Sequence, residues 1–325
     1  RRCLPLTQRK APPPLGLRPT SPLLDQQWQL SSTSEAPGGS NARALWQKLG
    51  IPEDSSKLKS VVVAVVDTGV DYTNPDLRDV MWSNPGDIGL PGEKGSAGYN
   101  FGDNVDDPMD VDGHGTHVAG IVAAANNNAE GGSGVAPNVR IMALRIANAA
   151  GQLPTSAQIG AYDYLKRAAR VGVPVVAAND SWGGMGTSGI LDSVMDDAYR
   201  SANILSVCAS GNESLDNDRS PGNPSGGSSE GVIAVNAVDR QGALAAFSSY
   251  GAATTDLAAP GDAILSTVPV AKEWPISRIK TSLSCKTISR SLTASSRSTW
   301  PETRRHRSCV PARHGPGPPH RGTAC

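Results

Sequence analysis

No stretch of this 325-residue chain approaches the ~20 consecutive apolar residues that a membrane-spanning helix needs, so no span is expected. Cysteine is scarce too. Of five, Cys3, Cys285, Cys309 and Cys325 lie near the ends and form no disulfide framework. Cys208 sits alone in the middle, inside an apolar run, where a thiol packs as a small hydrophobe. No internal repeat of fixed period appears. No Gly-x-Gly-x-x-Gly follows an early strand, which weighs against an unrelated α/β ligand-binding protein. The chain opens at Arg1 without an apolar h-region, so no signal peptide is visible.

What is present fits a globular core. Hydrophobic residues make up 38% and charged residues 18%, while 35 glycines and 25 prolines imply many turns and exclude a helical bundle. The zero net charge hides a split. Residues 25–270 carry 14 basic and 28 acidic side chains, a net of −14, whereas 271–325 carry a net of +9 and 1–24 hold five basic residues and no acid. We expect an acidic folded body over 25–270, a disordered or non-native segment over 1–24, and a basic tail of low order over 271–325.

The body is centred on Asp112-Gly113-His114-Gly115-Thr116-His117-Val118-Ala119-Gly120. Small and apolar residues follow His114, so a tightly buried helix is expected with His114 at its start. A rigidly placed imidazole, with an ordinary pKa of about 6.5, suits general acid–base work. It is equally compatible with plain packing. His114 and His117 share a helix face at i, i+3, but no Cys or third His lies near to complete a zinc site.

The run Ser60–Asp67 is continuous and β-branched, as in a strand buried on both faces of a parallel sheet. Asp67 ends it, where open α/β sheets carry working residues, or where a turn needs an Asp. Residues 83–113 read as a surface loop in which Asp103, Asp106, Asp107, Asp110 and Asp112 are either solvated or suited to a hard cation. Strands Val139–Ile146, Val173–Ala178, Ile204–Ala209 and Val232–Ala237 then alternate with helices Thr155–Arg170 and Ile190–Ala202. That alternation predicts a three-layer α/β sandwich, a mostly parallel central sheet with helices on both faces. An amphipathic segment spans Ala42–Leu49, and Trp28 and Trp46 are the first expected core residues.

Asp67-Thr68-Gly69-Val70-Asp71, Gly113-His114-Gly115-Thr116-His117-Val118-Ala119-Gly120 and Ala209-Ser210-Gly211-Asn212 together resemble three landmark motifs of the subtilisin-like serine proteases, the subtilases. Ser181-Trp182-Gly183-Gly184, Ala246–Gly251 and Ala258-Ala259-Pro260-Gly261 agree in order and approximate spacing. The resemblance covers roughly 60–270. It implies a serine endopeptidase in which Asp67 orients His114, His114 takes a proton from a serine hydroxyl, and the Asn212 amide donates to the oxyanion. It implies an extended polypeptide substrate flanked by Gly151-Gln152-Leu153 and by Ser181, Trp182, Gly183 and Gly184. It also implies structural calcium held by Gln27, Asp76 and the Asn126–Asn128 run, notably Asn127 and Asn128, with the chain monomeric and extracytoplasmic. No nucleic-acid partner is expected. Taken singly, Asn212, the glycine pair and the asparagine run all have plainer readings as turn and loop residues.

One motif is missing. Subtilases carry their nucleophile in Gly-Thr-Ser-Met-Ala-x-Pro beyond Ala-Pro-Gly. Here the nearest echo is Lys280-Thr281-Ser282-Leu283-Ser284, with neither the Gly, the Pro nor an apolar helix, in a region of nine serines. A change of reading frame near residue 270 would explain the shift in composition. This chain is then expected to have little or no peptidase activity, the alternative being a pseudoprotease that still binds extended peptides.

Overall fold

The computed structural model describes residues 21–49, 59–136 and 138–270. In chain order these give α1 (Ala42–Leu49), β1 (Val61–Asp67), β2 (Gly98–Asn100), α2 (His114–Ala123), β3 (Val139–Arg145), α3 (Thr155–Arg170), β4 (Val175–Asp180), β5 (Gly184–Met185), α4 (Gly189–Ala202), β6 (Leu205–Ala209), β7 (Gly222–Asn223), β8 (Val232–Val238) and β9 (Leu257–Pro260). Seven strands form one sheet in the order β2-β3-β1-β4-β6-β8-β9, and every pairing is parallel. β5 and β7 pair separately, antiparallel.

The valines of β1 face both ways. Val62, Ala64 and Val66 pack with Met142 and Leu144 of β3 and with Tyr162, Leu165, Leu191 and Met195 of α3 and α4. Val65 packs on the other face with Val118, Ala119 and Ala123 of α2. The expected sandwich with helices on both faces is therefore the fold. The chain passes from β1 to the edge strand β2 and back through α2 to β3 on one side, then returns through α3 to β4 on the other. β1 thus lies where the winding reverses, and its carboxyl end opens into the crevice such sheets use.

Several expectations need correction. The strand expected at Val173–Ala178 is β4, Val175–Asp180. It continues because Asn179 and Asp180 pair with Val207 and Cys208 of β6, while Val173 closes the turn after α3. The loop expected at 83–113 contains β2, whose three buried residues join β3 at the sheet edge. Gly-Tyr-Asn is too short to show a period of two. It is held instead by Tyr99, whose ring lies 4.9 Å from that of Phe101 and 6.5 Å from that of Tyr164. At the amino end, Ser21 and Leu24 are buried, Leu24 against Leu30, Ala42 and Trp46, so the packed body includes part of the segment assigned to 1–24. The tail reading of 271–325 falls outside the described residues.

Candidate active site

Asp67 is 2% exposed at the end of β1, and His114 opens α2. His114 Nδ1 lies 2.8 Å from Asp67 Oδ1 and 3.0 Å from Oδ2. A carboxylate only accepts, so Nδ1 carries the proton and Nε2 is left as the basic nitrogen. Oδ1 also accepts from the Thr68 backbone N–H at 2.7 Å, which fixes the carboxylate. Close approach of α2 to the β1 turn depends on Gly115. A Cβ there would stand 2.0 Å from the Gly69 carbonyl oxygen and 3.1 Å from Asp67 Cβ.

Asp110 holds the start of α2. It is buried, and its Oδ1 accepts from Thr68 Oγ1, Asp112 N and Gly113 N at 2.8–3.0 Å. Its Oδ2 accepts from Thr116 N and Thr116 Oγ1. Thr68 Oγ1 in turn accepts from Gly115 N. Asp110 is thus not a solvated loop residue. It braces the first turn of the helix carrying His114 through Thr116 N, although the N-cap residue itself is Gly113.

Burial alone would lower the His114 pKa. The adjoining Asp67 carboxylate, its hydrogen bond, and the charges of Asp110 and Asp112 outweigh that and raise it to about 9. His117 shows the opposite balance. Burial and the His114 charge lower it to about 4, and its ring bonds the Ile264 carbonyl oxygen, so it stays neutral within the core.

Asn212 follows β6, two strands across from β1. Its backbone N–H donates to Glu213 Oε2 at 2.8 Å, and Ser249 Oγ lies 3.4 Å from the same oxygen. Beside it is a cleft of about 390 Å³ lined by Trp182–Thr187, Ala209–Gly211, Glu213 and the segment Ser220–Asn223. Of the residues expected to flank a substrate, Trp182, Gly183 and Gly184 line this cleft. Ser181 is bonded by Asn179 below it, and Gly151-Gln152-Leu153 lie apart, in the loop after β3, where Gln152 bonds Asn148. A Cβ on Gly184 would meet nothing within 4 Å, so this chain's own packing does not require glycine there. Glu213 and the Met185–Thr187 wall had no motif to mark them.

Gln27, Asp76 and Asn128 do converge. Asp76 Oδ1 accepts from Asn128 Nδ2 at 2.8 Å and Oδ2 from Gly132 N at 3.0 Å, while Gln27 bonds both N and O of Ser133. The Asn127 backbone N–H donates to Ser21 Oγ. Burial raises the Asp76 pKa despite the bonds from Asn128 and Gly132. The side-chain oxygen of Asn126 is buried without a partner, and a Cβ at Gly131 would stand 2.2 Å from Asp76 Oδ2. A buried carboxylate with amide oxygens fits a hard cation. Among the described residues, no three His, Cys, Asp or Glu side chains gather as a metal cluster, so the zinc alternative at His114 and His117 has no third ligand.

The fold and this geometry define a parallel α/β protein in which a buried Asp67 holds a half-buried His114, suited to proton transfer, at the reversal of its sheet. Residues 58–305 match the model of the Subtilase family, and the chain belongs to that family. The matched range runs beyond residue 270. The chain is 41% identical over 208 residues to the thermophilic serine proteinase of Bacillus sp. (strain AK1), covering 63% of this chain and 45% of that protein. It is 34% identical over 226 residues to thermitase of Thermoactinomyces vulgaris, covering 69% and 71%. A solved protease from Pseudoalteromonas arctica aligns with a TM-score of 0.57 at 27% identity, over 77% of this chain and 79% of that one. No helix among the described residues is long and apolar enough to cross a membrane.

Proposed function

We propose that the chain is a serine endopeptidase of the subtilisin type, in which Asp67 and His114 supply the base. The observation that carries this reading is the 2.8 Å bond between His114 Nδ1 and Asp67. In the neutral ring, which prevails above its pKa of about 9, Nε2 is free to take a hydroxyl proton as that oxygen attacks the scissile carbonyl, and Asp67 stabilises the imidazolium so formed. The Asn212 amide donates to the oxyanion. As the tetrahedral intermediate collapses, the C–N bond breaks and the imidazolium returns its proton to the leaving amine. The substrate runs as an extended strand past Gly184, with one side chain in the cleft beside Trp182. An acidic, monomeric body working outside the cytoplasm suits this role. Calcium, held by Asp76 with the Gln27, Asn126, Asn127 and Asn128 oxygens, would neutralise the buried carboxylate and brace the loop after α2.

A second reading, a peptide-binding pseudoprotease, is favoured by one observation: the sequence lacks the Gly-Thr-Ser motif of the family, its nearest echo being Lys280-Thr281-Ser282. One experiment separates them. The whole chain is assayed on an unstructured protein with and without a serine-directed acylating inhibitor, beside His114→Ala and Ser282→Ala. Inhibitor-sensitive cleavage lost in His114→Ala supports the peptidase, and its loss in Ser282→Ala names the nucleophile. Saturable peptide binding without cleavage supports the pseudoprotease instead.

A further inference from the structure

The carboxyl end of β4 holds an ionisable group that the chemistry above does not use. Asp180 is wholly buried in the apolar layer beneath α3. Its Oδ2 accepts from Tyr162 Oη at 2.7 Å, and the same Oη lies 2.6 Å from Ser206 Oγ. Ionised carboxylates buried without a cation are costly, and no basic side chain bonds this one among the described residues. Two residues on, Trp182 lines the cleft. Its indole N–H helps hold Asp180 ionised, so the two groups are within reach. Yet they fall short of hydrogen-bond geometry: Trp182 Nε1 and Asp180 Oδ1 are each buried without a partner. A lone buried donor beside a lone buried acceptor is an unclosed bond, worth closing.

We propose that Asp180 is a positioning residue for the cleft, drawing Trp182 Nε1–H onto its Oδ1 and so setting the wall against which a substrate side chain seats. This rests on reading the cleft as a peptide site. The groups facing Asp180 are Tyr162 from α3, Ser206 and Cys208 from β6, Asp67 from β1, and Trp182 itself. Burial, then the neighbouring Asp180 charge, raises Tyr162 and Cys208 well above their ordinary ranges, so both stay neutral near pH 7. Burial raises Asp180 to about 7, the Tyr162 and Trp182 donors opposing it and the Asp67 charge adding to it. When Asp180 is ionised, Tyr162 donates to Oδ2, Ser206 donates to Tyr162, and Oδ1 is a charged acceptor for the indole. When it is protonated on Oδ2, the chain of donors reverses. Asp180 donates to Tyr162, Tyr162 to Ser206, and Oδ1 becomes a neutral and weaker acceptor. The wall is held above neutrality and loosened below it.

The test uses the whole chain labelled with nitrogen-15, the Trp182 indole signal being assigned with Trp182→Phe. That signal should move with pH about a midpoint near 7, should cease to move in Asp180→Asn, and should shift its midpoint upward in Tyr162→Phe, which removes a donor to the carboxylate. Acetyl-Ala-Ala-Phe-amide should bind about fivefold more tightly above the midpoint than below it, the gain of a charge-assisted over a neutral bond, and without that dependence in Asp180→Asn. A stationary indole signal, or one that titrates unchanged in Asp180→Asn, overturns the proposal. So does peptide affinity indifferent to both pH and Asp180. If Asp180→Asn does not fold, an unmoved midpoint in Tyr162→Phe overturns it. Asp180-dependent titration with no peptide bound at any pH upholds the hold on Trp182 and overturns the peptide reading of the cleft.

Discussion

The imidazole of His114 is held by charge as much as by shape, and that has a measurable sign. Its pKa in the folded chain, about 9, lies above the ordinary value of 6.5. The contribution to stability is therefore full below about 6.5 and is lost as pH rises through about 9. Thermal melts between pH 6 and 10 should show that loss in the wild type and much less of it in Asp67→Asn, where the imidazole midpoint followed by NMR should fall toward its ordinary value. Asp110→Ala should cost about 3 kcal/mol in denaturant unfolding, because it strands the Asp112, Gly113 and Thr116 N–H groups at once. Asp67 and His114 were legible in the sequence because each sits in a run whose pattern fixes its place. Glu213 and Asp180 were not, because their roles come from partners elsewhere in the chain. Ser249 is 36 positions from Glu213, and Tyr162 is 18 from Asp180.

Among the elements, α2 is seated so closely on β1 that its glycines are tested by space alone. Gly115→Ala places a methyl carbon 2.0 Å from a backbone oxygen, so α2 must back away. It should cost about 2 kcal/mol or more in stability and break the Asp67–His114 bond, read as a fall in the His114 NMR midpoint. Gly184→Ala meets nothing within 4 Å. It should leave stability within about 0.5 kcal/mol of the wild type, yet weaken binding of acetyl-Ala-Ala-Phe-amide if a substrate backbone passes there. Long elements were readable. The valine run of β1 and the helical spacing of α3 place both within a residue of their observed bounds. β2, β5 and β7, of two or three residues, were not, since pairing with distant strands makes them rather than any local pattern. Asp180 fell beyond the strand expected at Val173–Ala178 for a related reason, as polar residues at a strand's end read as loop until their partners are known.

Across the whole molecule, the loop after α2 meets the turn after β1 at Asp76 and the amino-terminal segment at Gln27. If calcium binds there, a chelator titration should lower the melting temperature, and Asp76→Ala should remove the difference, because a ligand bound only by the native state must raise its stability. The order of the sheet carries a further consequence. β1 takes its two neighbours from residues 139–145 and 175–180, so during synthesis the run Val61–Val66 waits for roughly a hundred later residues, about 5–20 s at ribosomal rates. A six-residue segment of valine and alanine, without charge or proline, is also the kind that pairs with its own copies. The strand that aligns Asp67 for chemistry is therefore also a stretch a cell must shield while the chain is being made.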